Sequence, residues 1–277
     1  MEVKEKGEEE LLSPEEFKSL NDGHVANEIK KLFQVAKKKP EAISQKDFSR
    51  MRDYVILHVT MGSGQRYGAI ANLSVKDFKQ AERISGDGED ELYRTKTIRH
   101  KTGSIGPAKL FWHKDVKEMA EIYLKGLRPV YANEQSVVAA KPGVEPEQAM
   151  FITINGKAMN ESVISTAITR LGKSMNDQIQ GNLIQSRLRK SIISTHRKVG
   201  STISKELMAS QMTHSVKTAD QYYDVRNTDR VDSEMAEFLR QITSGGENQS
   251  KESSSCPAAE CSEEPKTSMV KYTDNSD

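Results

Sequence analysis

Met61-Gly62-Ser63-Gly64-Gln65-Arg66-Tyr67-Gly68-Ala69-Ile70-Ala71-Asn72-Leu73-Ser74-Val75-Lys76-Asp77-Phe78 is the stretch on which the reading of this chain turns. Upstream of it, Phe48, Met51, Tyr54, Val55 and His58 recur at helical spacing and predict a helix over about Gln45–Met61. Gly62 and Gly64 stop that helix, because glycine leaves the helical conformation at little cost. Arg66 then stands at the start of a second helix, where unpaired backbone N–H groups favour an anion. A lone arginine at such a junction is usually a surface or capping group, so Arg66 gains meaning only in company. Downstream, Val75–Gln80 reads as a short strand.

Working outward, the pattern stays mostly helical. Ser13-Pro14-Glu15-Glu16 is a helix start with a Ser cap, Pro in the first turn and Glu three residues after the cap. Val25, Ile29, Leu32, Phe33 and Ala36 give a helix over His24–Lys37. Val116, Met119, Ala120, Tyr123, Leu124 and Leu127 give another that ends near Pro129. Val163, Ile164, Ala167, Ile168 and Leu171 form a further stripe, and Leu188–Val199 reads as one more helix. Glu91–Arg99 and Gly106–Trp112 flank the glycine-containing turn Lys101-Thr102-Gly103-Ser104-Ile105-Gly106 and predict a hairpin. The expected fold is mainly α (α+β), with one small antiparallel three-stranded sheet.

Composition narrows the function classes. The chain has 277 residues, 35% hydrophobic and 29% charged, and its net charge is +1. Apolar runs such as Tyr54–Val59 are too short to span a bilayer, so no membrane association is expected. The N-terminal Met-Glu-Val-Lys-Glu-Lys has no apolar segment behind it, and no secretory signal is read there. Two cysteines, Cys256 and Cys261, cannot staple a fold and point to a reducing compartment. Their spacing lacks the further partners a metal site needs.

The net charge conceals an asymmetry. Residues 1–20 hold three Lys and seven Glu; residues 242–277 hold three Lys and seven acids. The stretch between carries 35 basic and 26 acidic residues, a net of +9. Leu92–Trp112 has five Lys/Arg and no acid, and Leu183–Lys205 has six and none. A basic middle with acidic ends suits a domain that meets a polyanion. Residues 1–12 and 244–277 lack a core-forming pattern and are expected to be disordered. A helical segment over 13–44 and a main domain over 45–243 complete the expected organisation.

The sequence contains no His-Glu-x-x-His, no nucleophile elbow and no phosphate-binding loop. What stands out is a set of cationic and hydrogen-bonding residues at junctions. Lys101 sits on the hairpin turn inside an acid-free window. Arg189, in Ser186-Arg187-Leu188-Arg189-Lys190, opens a helix whose three cations oppose its own dipole. In Met212–Tyr223, His214 precedes a short helix closed by Tyr222 and Tyr223. Each alone has a structural explanation: a solvated turn lysine, a packed tyrosine pair.

Their order and spacing are more specific. Arg66, Lys101 on a hairpin turn, Arg189, His214 and then Tyr223 nine residues after the His form a series that resembles the tyrosine recombinase (phage integrase) superfamily. Met61–Phe78 is similar to its first-arginine box, Lys101-Thr102-Gly103 to its catalytic-lysine turn, Leu188-Arg189-Lys190-Ser191 to its second-arginine helix, and Thr213-His214-Ser215 to Tyr223 to its closing box. His100-Lys101-Thr102 with Gly106-Pro107-Ala108, and Met212–Tyr223, look closest to recombinase-like domains of animal mobile elements. The resemblance covers about residues 45–230.

The resemblance implies a helical catalytic domain that breaks and rejoins DNA through a 3′-phosphotyrosyl intermediate. Arg66 and Arg189 would hold the non-bridging phosphate oxygens by paired hydrogen bonds, which ammonium groups cannot copy. Tyr223 would be the nucleophile, Lys101 the general acid on the leaving 5′-oxygen, and His214 a phosphate or tyrosine partner. Tyr222, about 100° away on the same helix, is the alternative nucleophile. Arg99, Lys96, Arg187 and Lys190 would contact DNA. Neither a metal nor another cofactor is implied. Double-stranded DNA is the implied partner, with self-association on it through a helix over Val231–Ile242; the nucleus follows as the location from the DNA substrate.

Three departures accompany the resemblance. Ser186 stands where the family usually has His three residues before its second Arg, and Ala69 stands where an acid often follows the first. The N-terminal helical segment is short for a core-binding domain. They favour an alternative, an inactive recombinase-derived DNA-binding protein. A helical interaction protein, with every candidate residue structural, is the third reading.

Overall fold

The computed structural model describes residues 11–198 apart from 86–87, 89–90, 99–106, 139–145, 176–178 and 180. α1 (Pro14–Asp22) begins as the sequence predicts. The Ser13 hydroxyl accepts from the Glu16 N–H at 3.1 Å, and the Glu16 carboxylate accepts from the Ser13 N–H at 2.7 Å. That reciprocal cap satisfies two otherwise orphaned donors. α2 (His24–Lys38) turns Ala26, Ile29, Phe33 and Ala36 inward, the stripe its periodicity demands.

α3 (Gln45–Ser63) is the central helix and is buried along most of its length, Tyr54 to Leu57 and Val59 included. It ends at Gly64, which adopts φ 61° and returns its N–H to the Thr60 carbonyl. A side chain there would be strained, which explains why the stop is a glycine. Leu20, Ile29 and Phe33 share one core with α3 and with the helices that follow it. Segment 13–44 is thus packed into the main body. Leu11 and Leu12, assigned by composition to an uncored tail, are buried in fact, and Leu12 is fully so. Their burial, with the Leu12 N–H donating to the Ser191 hydroxyl, holds this stretch down.

α4 (Tyr67–Ala71) and α5 (Val75–Lys79) come next. The strand expected over Val75–Gln80 is a helix. Ser74 and Asp77 form a second reciprocal cap, with hydrogen bonds of 3.0 and 3.1 Å. Those local bonds compete successfully with extended pairing over so short a run. The third strand is instead β1 (Glu82–Ser85), paired antiparallel to β2 (Leu92–Thr97), which pairs with β3 (Ala108–His113) in the order β1-β2-β3. The predicted hairpin forms, in register from Leu92 opposite His113 to Thr97 opposite Ala108. Thr95, Thr97, Ala108, Leu110 and Trp112 face the core. The Trp112 indole donates to the Thr95 hydroxyl at 3.1 Å and meets the Phe78 ring edge-on at 4.9 Å.

The helix expected to end near Pro129 behaves differently. α6 (Lys114–Ile122) passes through a π-helical turn over Tyr123–Leu127 into α7 (Arg128–Tyr131). Pro129 falls in the first turn of α7, where a missing N–H costs nothing. α8 (Glu161–Ser174) is capped by the Asn160 side chain, which accepts from the Val163 N–H at 2.9 Å. α9 (Gln185–Lys198) starts three residues before its predicted first turn at Leu188.

Two polar features sit inside this core. Arg52 donates to Asp53 Oδ1 through Nε at 2.9 Å and Nη2 at 2.6 Å, and to the Ile152 carbonyl through Nη1 at 2.9 Å. Arg170 Nη2 closes the group on Asp53 Oδ2 at 2.7 Å. The second feature is His58, whose ring lies 4.2 Å from that of Tyr54 and hydrogen-bonds the Leu20 backbone. Its Nε2 meets no partner among the described residues.

Burial pushes the His58 imidazole down to about 4, against the pull of Asp115. The unfolded chain therefore binds the extra proton between about pH 6.5 and 4, so this contribution to stability is complete above the unfolded pKa and lost as pH falls through that window. Down to about pH 4.5, the part of that window a denaturation experiment samples, the loss is about 2 kcal/mol. Urea denaturation at pH 7.5 and pH 4.5 checks this expectation. The drop in stability should be smaller in His58→Gln by that amount, and equal drops would refute it.

Candidate functional site

α9 buries a polar stripe. Arg187, Ser191 and Ser194 lie inside with Leu188, and Arg189 is only 1% exposed. The Arg189 Nη1 donates to the Gly64 carbonyl. This brings residue 189 onto the loop that carries Arg66, two residues after Gly64. The loop is itself fixed: the Ser63 hydroxyl accepts from the Phe111 N–H at 2.8 Å, which ties the end of α3 to β3. Three elements, α3, β3 and α9, therefore converge on Ser63–Arg66.

Arg66 is the N-cap residue of α4, with extended backbone at φ −75° and ψ 150° and no side-chain cap of its own. Its carbonyl accepts from the Ala69 N–H at 2.9 Å, and its side chain is half-buried. Tyr67, next in the chain, is buried, and desolvation holds its hydroxyl well above the usual tyrosine range. The Tyr67 side chain is packed inside the core beside the loop. Tyr123 is pushed up to about 12 by burial and accepts from the Ile152 N–H at 3.2 Å, which makes it structural as well.

The remaining sequence candidates divide. Arg187 is 7% exposed and pairs through Nη2 with Glu16 Oε1 at 3.2 Å, a buried ion pair and not a solvent-facing cation. Lys190 is half-buried on α9. Lys96 is exposed on the outer face of the sheet, beside Arg94, and both reach Glu82, at 3.2 and 2.8 Å. Lys109 stands opposite Lys96 on β3. Arg99 and Lys101 lie outside the described residues, as do His214, Tyr222, Tyr223, the helix read over Val231–Ile242 and both cysteines. Ser186 is exposed on the first turn of α9, and Ala69 is 2% exposed within α4.

The sequence reading missed Gly64 as an anchor, since its role runs through a carbonyl that no motif encodes. It also missed the contacts that Leu12 and Glu16 make with α9, at Ser191 and Arg187. Among the described residues no group of three His, Cys, Asp or Glu is placed to hold a metal ion, and no helix is long and apolar enough to cross a membrane. A cavity of about 760 Å³ opens between α2, α3 and α8. It shares no residue with the Arg66–Arg189 junction, and Arg50 and Arg170 on its wall are already paired with Glu28 and Asp53.

No protein-family model matches the chain, and no curated protein matches it. Solved structures similar to it include a XerA recombinase, at 18% identity and a TM-score of 0.48 over 84% of this chain and 64% of that one. The Tn1549 transposon integrase in complex with transposon right-end DNA matches at 18% identity and 0.44, over 67% and 58%. The XerH site-specific recombinase bound to difH substrate, in a pre-cleavage complex, matches at 14% and 0.46, over 72% and 50%. This chain spans less than two thirds of the length of each of the three.

Proposed function

We propose that this protein binds double-stranded DNA through the Arg66–Arg189 junction and the outer face of the sheet, and acts on it as a DNA breaking-rejoining enzyme of the tyrosine recombinase type. One observation carries the reading: Arg189 reaches across 125 residues of sequence to the Gly64 carbonyl, at the base of the Arg66 loop. Two guanidiniums held by separate rigid elements suit a phosphodiester, whose non-bridging oxygens gain charge as it is attacked. The acid-free windows run through both places, with Lys96, Lys109 and the hairpin in one and Lys190 in the other. Arg187 is left out of the phosphate contacts because Glu16 occupies it.

In the proposed reaction the Tyr223 oxygen attacks phosphorus and gives its proton to solvent. The bond to the 5′-oxygen breaks, and Lys101 protonates that oxygen as it leaves. The 3′-phosphotyrosine keeps the bond energy for rejoining. Arg66 and Arg189 hold the phosphate throughout, and His214 orients phosphate or tyrosine. Neither a metal nor another cofactor is required. Self-association on DNA through Val231–Ile242, and action in the nucleus on mobile-element DNA, belong to the same proposal.

The deciding experiment is a suicide duplex carrying a nick near the cleavage site, which traps a covalent protein–DNA adduct. Adduct formation supports the enzyme. A second reading, a DNA-binding protein that has lost cleavage, is favoured by Ala69 and Ser186: the first is buried where the resembled pattern often has an acid, the second exposed where it has His. Tight duplex binding without any adduct would select it.

Both readings require binding through phosphates. If about five are neutralised, affinity for duplex DNA should fall roughly 500-fold between about 50 and about 200 mM salt. Fluorescence anisotropy at several salt concentrations measures the slope, and a flat response would remove the polyanion reading altogether.

A further inference from the structure

We infer that the N-terminal segment, residues 11–22, is a positioning strut for Arg189: Glu16 and the Leu12 amide lock one face of α9 and press its opposite face onto the end of α3. This rests on Arg189 being a phosphate ligand, as proposed above. The contacts are long in sequence and short in space. The Leu12 N–H donates to the Ser191 hydroxyl at 2.8 Å, across 179 residues. That hydroxyl in turn donates to the Arg187 carbonyl at 2.8 Å. Arg187 Nη2 meets Glu16 Oε1 at 3.2 Å and the Leu11 carbonyl at 3.5 Å.

Helical geometry gives these contacts their meaning. Residues 187 and 191 are one turn apart on one face, and at about 100° per residue the side chain of 189 leaves on the far side. α9 is therefore gripped from behind by the N-terminal segment while Arg189 reaches forward to Gly64. Glu16 serves both ends of the strut: one carboxylate oxygen accepts from the Ser13 amide and the other faces Arg187. The far end of α1 is seated on α3, where the Tyr54 hydroxyl donates to the Asn21 carbonyl at 3.4 Å and His58 bonds the Leu20 backbone. α3 is the helix whose C-cap, Gly64, receives Arg189, so the strut closes a loop of contacts. An arginine that must meet a phosphate in one geometry gains from such support, since small displacements cost much of a hydrogen-bonded ligand's effect.

The test uses the full chain with two separate substitutions. Glu16→Gln keeps an oxygen for the Ser13 amide and drops the charge facing Arg187; Ser191→Ala removes the acceptor of the Leu12 amide. In each variant the amides of residues 187–194 should exchange with solvent roughly tenfold faster, while those of α8 stay as in the wild type. Duplex binding then separates positioning from plain stability. Glu16→Gln should weaken it about three- to tenfold in the wild-type background and not further when Arg189→Ala is already present. Unchanged exchange in α9 for both variants overturns the strut. So does a Glu16→Gln loss that adds in full to that of Arg189→Ala. If Arg189→Ala binds DNA like the wild type, the phosphate-ligand reading fails instead, and faster exchange confined to α9 still supports the strut.

Discussion

Asp53→Asn is expected to destabilise the folded chain by about 3–5 kcal/mol, because it leaves a buried guanidinium without its counter-charge. Arg52 and Asp53 are 4% and 2% exposed, and the arginine makes two of its hydrogen bonds to one carboxylate oxygen. Asparagine keeps the shape and one acceptor, but not the charge. Taking out both partners together should be far milder, since the desolvation penalty of each ion disappears with it. Arg52→Met with Asp53→Leu is expected to recover most of the loss. Arg170 contributes from the rim, with 62% of its side chain exposed, so Arg170→Ala should cost no more than about 1 kcal/mol. Urea denaturation of the three variants decides the matter. A cost for Asp53→Asn no larger than that of Arg170→Ala would show that the pair is better solvated than its burial implies.

The second large effect concerns chemistry. If the proposed cleavage takes place, Tyr223→Phe is expected to abolish adduct formation on a suicide duplex while leaving DNA affinity within about twofold, because only the proposed attacking oxygen is lost and the ring remains. Arg189→Ala should impair both steps, with a rate loss on the order of 10² to 10³ for a transition-state donor. Arg189→Lys keeps the charge without the forked donor geometry and should recover affinity better than rate. Tyr222→Phe should remain active. An adduct that survives Tyr223→Phe and disappears in Tyr222→Phe would move the nucleophile by one residue. Gel-shift and adduct assays on the same preparations keep binding and chemistry apart.

Local signals account for most of what could be read without coordinates. Ser13 with Glu16, the stripe of α2, the Gly64 stop and the Leu92–His113 hairpin all rest on interactions within a few residues, and each stands where periodicity and capping chemistry put it. The misreadings have local causes too. Val75–Gln80 has strand-like composition, but the Ser74–Asp77 cap supplies backbone partners that favour a helix. Pro129 reads as a terminator, yet a π-helical turn shifts it into the first turn of α7. Leu11 and Leu12 are the exception: they read as tail because their partners, Arg187 and Ser191, lie 176 and 179 residues away in sequence.

By itself the sequence determined the fold class, the acid-free basic windows and the candidacy of Arg66 and Arg189, since periodicity, charge and glycine stops are properties of neighbouring residues. Only the tertiary structure decided which partner each cation takes. Arg187 and Arg189 are two residues apart in one basic run, yet one is spent on Glu16 and the other reaches the Arg66 loop. No local pattern distinguishes them, because their partners come from α1 and from the end of α3. Side chains two positions apart on a helix leave on nearly opposite faces, and the packing of α9 between those elements gives each face its partner.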